Sequence, residues 1–230
     1  MARKRRKVVL VIVEGPSDET ALVQSFAALF DPDRVMIKVV HGDMTADFGS
    51  GSSNIAASLG NLVKGCASRY GLKRSDFLRV IHITDTDGAY IPDANVIEDI
   101  NHNGRPKYDE TNIIASPKSK IKERNVRKRA NLDKLSSLTT VWGKIPYSIY
   151  YMSCNLDHVL YGVQNSDDAT KSKNAFQFAR KYKDNLDGFV EYVTDPVIAV
   201  AGDYRDTWAY IRQGLNSLRR HTNLNLCFQS

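Results

Sequence analysis

The run of six apolar residues from Val8 to Val13 constrains the fold more than any other part of the sequence. Five of the six are β-branched, so neither side of the segment is suited to water. Such a run is typical of a strand that is buried on both faces of a parallel sheet. It ends at Glu14, and open α/β sheets bind their ligands beyond the carboxyl ends of the strands. We therefore expect Glu14 to lie at a functional edge of the sheet.

A second apolar segment with an acidic end, RVIHITDTDG, occupies Arg79–Gly88. Its β-branched residues predict a short buried strand. Residues two apart in an extended chain point to the same side, so Asp85 and Asp87 are expected to direct two carboxylates to one place. Two carboxylates that close resist ionisation, and Mg²⁺ or Mn²⁺ relieves the repulsion with oxygen ligands. Asp87-Gly88 is also a strong hairpin signal, which leaves a plain turn as the alternative.

Hydrophobic periodicity places these two strands in an alternating α/β order. It predicts a helix over 17–30, a strand over 35–40 and a helix from residue 55 to about residue 70, before the strand that ends at Asp85. Strand-helix alternation implies a mainly parallel sheet with helices on its faces. If the two acidic strands are neighbours, Glu14 faces Asp85 and Asp87.

The second half of the chain has a weaker pattern. We expect an α/β core over residues 7–116, then a basic helix over 118–138 and a C-terminal α/β elaboration over 117–230 packed on that core. Residues 93–100 read as a short helix, and residues 189–193 and 197–201 as strands or buried turns.

Two further acids are candidate metal ligands. Asp18 lies in the first turn of the predicted helix that follows Glu14, and Asp157 opens a helix after a predicted strand. Acids in a first helical turn also stabilise the helix dipole, so simple capping is the alternative for both residues.

The net charge of +6 is concentrated in two clusters. Arg3–Lys7 is the first, and we interpret it as a solvated tail. Between Pro117 and Lys134 there are eight Lys or Arg residues and only two acids, a density that attracts nucleic-acid phosphates. A solvated helix face is the alternative. The candidate nucleic-acid contacts are Lys118, Lys120, Lys122, Arg124, Arg127, Lys128 and Arg129.

Several classes of protein do not fit the composition. No apolar run approaches the roughly 18 residues of a membrane span, and no small-residue cleavage site follows the basic N-terminus. The three cysteines form no CxxC pair, so neither a zinc knuckle nor a disulfide scaffold is indicated. We expect a cytoplasmic protein without a membrane partner. The sequence leaves open whether the protein forms a homodimer.

The segments VVLVIVEGPSDE and RVIHITDTDG together resemble the TOPRIM domain of topoisomerases, primases and OLD-family nucleases. EGPSDE looks closest to the OLD-like, phage-resistance branch. The resemblance implies a Rossmann-like TOPRIM fold in which Glu14, Asp85 and Asp87 bind one or two Mg²⁺ or Mn²⁺ ions. It also implies that these residues catalyse phosphodiester cleavage on nucleic acid, and the OLD-like branch suggests a role in phage defence. YMSCNLDHVLY is loosely similar to a downstream TOPRIM element in which a Glu usually stands near the position of Asp157.

Two other functions compete with a TOPRIM nuclease. A strand followed by Asp85-Thr86-Asp87-Gly88 also resembles the nucleophile segment of haloacid-dehalogenase-like phosphatases, in which Asp85 would carry a phosphoryl group. In those phosphatases the segment normally begins the domain, whereas here two predicted strands and two predicted helices precede it. The phosphatase hypothesis also gives Glu14 no role. The third hypothesis is a nucleic-acid-binding module with a degenerate TOPRIM site.

Overall fold

The computed structural model describes residues 6–33, 35–42, 44–45 and 54–228, so Arg3, Lys4 and Arg5 of the first basic cluster lie outside it. In chain order, its helices and strands are β1 (Lys7–Val13), α1 (Pro16–Ala28), β2 (Val35–His41), α2 (Ile55–Arg69), β3 (Phe77–Asp85), β4 (Val96–Glu98), β5 (Lys107–Tyr108), β6 (Ile113–Ala115), α3 (Lys118–Ser136), β7 (Thr140–Val141), β8 (Ile145–Met152), α4 (Leu156–Tyr161), α5 (Asp168–Tyr182), α6 (Leu186–Thr194) and α7 (Tyr204–Ile211).

The main sheet has the strand order β2-β1-β3-β8-β7. Strands β2, β1, β3 and β8 are parallel, and only the two-residue β7 is antiparallel to its neighbour. This confirms an α/β fold with a mostly parallel sheet flanked by helices. β8 comes from the second half of the chain, so both halves contribute to the sheet; the domain division at residue 116 stays a prediction.

Strand β1 is buried on both faces, as its apolar run predicts. Every residue from Val8 to Val13 is 1% exposed or less. Val8, Leu10 and Ile12 pack in a core with residues of α2, α3 and α7, and the alternate residues pack in a second core with α1, α5 and α6. Because side chains alternate along a strand, this one segment supplies both layers of the core.

A small second sheet, of order β4-β6-β5, lies between β3 and α3 in the chain. The short helix predicted over 93–100 was wrong: a single 3₁₀ turn over Asp93–Asn95 leads directly into β4. Val96 is buried and pairs with Ile113 of β6, so packing between strands overrides the local helical signal.

The segment 189–193 is also not a strand; it lies in helix α6. The Oδ1 atom of Asn185 accepts a hydrogen bond from Gly188 N at 2.9 Å and caps the helix. Phe189 and Val193 are four residues apart and both fully buried, which is helical spacing within an otherwise short apolar run. Of the described helices, none is both long and apolar enough to cross a membrane.

Residues 221–223, which we name the C-terminal segment, lie along β8 beyond the point where the two-residue β7 ends. Tyr151 N donates to Asn223 Oδ1 at 2.9 Å, and Thr222 Oγ1 donates to Tyr151 O at 2.7 Å. Ser153 N donates to His221 O at 2.9 Å. Asn223 is fully buried and also donates to Thr207 Oγ1 at 3.1 Å, so it joins β8 to α7.

We expect Asn223→Ala to lower the free energy of unfolding by about 2 kcal/mol, because a buried N–H left without an acceptor costs about 1–3 kcal/mol. Urea denaturation monitored by circular dichroism measures the change. Asn103→Ala, at an exposed loop position, is the control. Equal stability of the two variants would contradict the role assigned to Asn223.

Candidate active site

The adjacency of β1 and β3 brings Glu14 and Asp85 together at one end of the main sheet. Asp85 N donates to Glu14 Oε1 at 2.9 Å, and Thr84 Oγ1 donates to the same oxygen at 2.9 Å. The parallel register pairs Ile12 with His82, which places Glu14 opposite Thr84, next to Asp85. The predicted convergence of these acids is confirmed, whereas their catalytic and metal-binding roles stay predictions.

Asp87 lies in a tight turn after β3 and is held from several directions. Its φ is 49°, in the left-handed region that Asp tolerates better than most residues. Gly88 follows at φ 65°, and a Cβ atom there would lie 2.6 Å from Leu218 Cδ2, so only glycine fits. Arg124 donates to Asp87 O at 2.7 Å, and Tyr108 OH donates to Asp87 Oδ1 at 3.4 Å.

Lys128 of α3 places an ammonium group inside the acidic cluster. Its side chain is fully buried; Nζ donates to Asp87 Oδ2 and lies 3.6 Å from Glu14 Oε1. Sequence reasoning assigned Lys128 to a nucleic-acid-binding surface, but a fully buried side chain is not at a surface. The sequence did contain an indication that Lys128 is buried. Ile121, Lys128 and Leu135 follow one another at intervals of seven residues, so they lie on one face of the helix, and all three are buried.

The carboxylates differ in their pKa. Burial raises the pKa of Asp85 well above its usual range, and the neighbouring Glu14, Asp18 and Asp87 raise it further. Burial alone would also raise the pKa of Asp87, but the charges of Lys128 and Arg124 outweigh burial and lower it. The positive charge of the site is therefore concentrated at Asp87, and Asp85 lies among like charges.

The two further candidate ligands lie in the first turns of α1 and α4. Asp18 Oδ2 accepts a hydrogen bond from Gly15 N at 2.8 Å, which is the capping contact. Burial raises the pKa of Asp18, and nearby Asp157 adds to the increase. Burial likewise raises the pKa of Asp157, which is 4% exposed. Leu156 N, at the start of α4, donates to Asp85 Oδ1 at 2.9 Å.

The three acids Glu14, Asp85 and Asp87 line a cavity of about 540 Å³. Segments 105–108 and 164–167 line it as well, together with Arg124 and Lys171. A carboxylate cluster with cations around it is suited to binding a phosphate through a bridging divalent ion.

The predicted basic contacts of α3 divide into three groups. Lys118 and Lys120 are exposed, and Lys122, Arg127 and Arg129 are half-buried. Arg124 and Lys128 point into the acidic site, where Arg124 also donates to Tyr108 OH at 3.0 Å. Only part of this basic cluster is therefore available to a bound polyanion.

The carboxylate oxygens are the ligand type that Mg²⁺ and Mn²⁺ prefer. Within residues 6–33, 35–42, 44–45 and 54–228, however, no three His, Cys, Asp or Glu side chains are arranged to hold a metal ion. The ammonium of Lys128 contacts both Glu14 and Asp87. The carboxylate oxygens therefore suit a divalent ion by their chemistry, but in the arrangement seen here Glu14 and Asp87 share the ammonium of Lys128 instead.

Comparisons of this chain with protein-family models, with curated proteins and with solved structures found no match.

We expect Lys128→Met to lower the free energy of unfolding in EDTA by about 3 kcal/mol, because removal of one partner of a buried ion pair leaves the other charge uncompensated. Urea denaturation measures the change. Lys134→Met, at an exposed position of the same helix, is the control and should change stability by less than about 0.5 kcal/mol.

A double variant, Asp87→Asn with Lys128→Met, removes both charges of the pair. Its loss of stability should be smaller than the sum of the two single losses. Additive losses would show that the two residues do not stabilise each other.

Proposed function

We propose that this protein is a Mg²⁺- or Mn²⁺-dependent nuclease with a TOPRIM-like fold and site. The observation that carries the proposal is the hydrogen bond from Asp85 N to Glu14 Oε1, which joins acids from two adjacent parallel strands 71 positions apart in the chain. An acid after one strand and an Asp-x-Asp pair after its neighbour are the arrangement that the TOPRIM resemblance implies.

The electrostatics of Asp85 support a divalent cation in this site. Burial raises the pKa of Asp85 most, and the like charges of Glu14, Asp18 and Asp87 beside it raise the pKa further. A cation bound by the carboxylates would relieve that repulsion. Lys128 contacts Asp87 and Glu14, whereas no ion pair of the described residues joins it to Asp85, so a bound cation would add positive charge beside Asp85.

Each residue has a separate task in the proposed hydrolysis. Glu14, Asp85 and Asp87 would hold the ion, which when bound stabilises negative charge on the phosphate oxygens. Glu14 would also act as a general acid or base, accepting a proton from the attacking water in the second role. As the water oxygen bonds to phosphorus, the bond from phosphorus to the leaving oxygen breaks; the leaving oxygen takes a proton from solvent water and becomes a hydroxyl end, and the other product keeps the phosphate. Arg124 and Lys128 fix the position of Asp87 during the reaction.

The surroundings of the cavity support nucleic acid as the substrate. Lys107 and Lys171 line the cavity, and Lys118 and Lys120 are exposed on α3. Such cations bind phosphates on both sides of a reacting phosphodiester without reading the base sequence. The resemblance to OLD-like proteins extends the proposal to a role in phage defence.

We expect Asp85→Asn to reduce Mg²⁺- or Mn²⁺-dependent cleavage by at least about 100-fold, because an amide cannot supply the negative charge that holds the ion. Gel electrophoresis of labelled single-stranded and duplex DNA and RNA, with each metal and with EDTA, measures cleavage. Fluorescence anisotropy should show binding largely unchanged.

Asp184→Asn removes a carboxylate at an exposed position after α5 and is the matched control. Full activity of Asp85→Asn, or of the wild-type protein in EDTA, would overturn the nuclease proposal. Transfer of a phosphoryl group to Asp85 from a small phosphomonoester would instead identify a phosphatase.

A further inference from the structure

One wall of the acidic cavity consists of two segments from distant parts of the chain. We name residues 105–109 and 164–168 together the bridged wall. Tyr108 N donates to Asn165 Oδ1 at 2.9 Å, and Asn165 Nδ2 donates back to Tyr108 O at 2.8 Å. Arg105 forms a bidentate pair with Asp168 at 2.7 and 3.0 Å. These contacts join β5 of the small sheet to the start of α5.

The bridged wall is also attached to the floor of the cavity. Tyr108 OH donates to Asp87 Oδ1 at 3.4 Å, and Arg124 donates to the same hydroxyl at 3.0 Å. Gln164 Nε2 donates to Asp109 O and to Leu218 O, each at 3.3 Å. These contacts join the wall to Asp87 at the floor of the cavity.

The acids are recessed behind this wall. The side chains of Glu14 and Asp87 are only 17% and 22% exposed. The cavity of about 540 Å³ is in the range of sites that hold a small ligand, about 300–1,000 Å³. A volume of that size accommodates a nucleotide or two of a flexible strand.

A duplex fits this geometry poorly. Double-stranded DNA is stiff over about 150 base pairs, so it cannot bend a short stretch of one backbone into a small cavity. A paired nucleotide would have to leave the base stack before its phosphate could reach the acids. A single strand has no such restriction, and its phosphates can lie along Arg105, Lys107 and Lys171 at the cavity.

We propose that the acidic site takes single-stranded nucleic acid and that the bridged wall excludes uninterrupted duplex. This inference rests on the proposed nuclease function and adds the class of substrate. Lysine and arginine side chains at the cavity would bind phosphates, which carry no base-sequence information, so we expect selection by strand number and not by base sequence.

Covalently closed circular nucleic acids test the inference, because they have no strand ends at which an exonuclease could begin. The wild-type protein should cleave a single-stranded circle at least tenfold faster than a relaxed duplex circle of the same sequence, with the same metal and salt. Equal rates would overturn the substrate assignment and leave the nuclease proposal intact. Cleavage of neither circle with any metal would overturn the nuclease proposal.

Binding tests the substrate class separately from catalysis. With Asp85→Asn at a fixed salt concentration, an unlabelled single-stranded oligonucleotide should displace a labelled one at least tenfold more effectively than a blunt duplex does. Equal competition by the two would contradict the inference whether or not the protein is a nuclease.

The double variant Asn165→Ala with Asp168→Ala tests the bridged wall itself. It removes the four hydrogen bonds that join Tyr108 and Arg105 to the second segment. These contacts are exposed, so the fold should persist, and duplex cleavage should rise until the preference for single strands falls at least threefold. Asp184→Ala, at the far end of α5, is the control. An unchanged preference in the double variant would show that the wall does not select the substrate.

Discussion

The contact of the Lys128 ammonium with Asp87 and Glu14 is the interaction on which the acidic site depends. A fully buried lysine is rare unless it is paired, and here its partners are the acids that end β1 and follow β3. Without that charge, three carboxylates would converge with few groups to compensate them. The contact also ties α3 to the end of the main sheet, so one ion pair connects the helix, the sheet and the cavity.

The same interaction makes the site asymmetric. Lys128 and Arg124 lower the pKa of Asp87, whereas burial and neighbouring acids raise that of Asp85. Two carboxylates separated by one residue therefore differ in their affinity for a proton. Such a difference between neighbouring acids is characteristic of functional sites, although buried ion pairs of purely structural importance also produce it.

Sequence reasoning predicted the parts of the fold that long apolar patterns specify. Val8–Val13 has no polar side and is rich in β-branched residues, which predicted a central parallel strand; the adjacency of β1 and β3 then brought Glu14 to Asp85. Two of the three strands of the small sheet, β4 and β5, were not predicted, because strands of two or three residues carry too little periodicity. Lys128 was misassigned because its charge suggested a surface, whereas tertiary contacts with two distant acids determine its burial.

The C-terminal segment that pairs with β8 has a consequence for encounters between chains. A sheet edge with unpaired N–H and C=O groups is a template on which a strand of another molecule can add. Thr222 and Asn223 use a hydroxyl and an amide to occupy the groups of Tyr151 that would otherwise be open. Tyr204 OH occupies the N–H and C=O groups of Ile149 on the same strand in a similar way. Side chains of three residues therefore cover backbone groups of β8 that a further strand would otherwise have to pair.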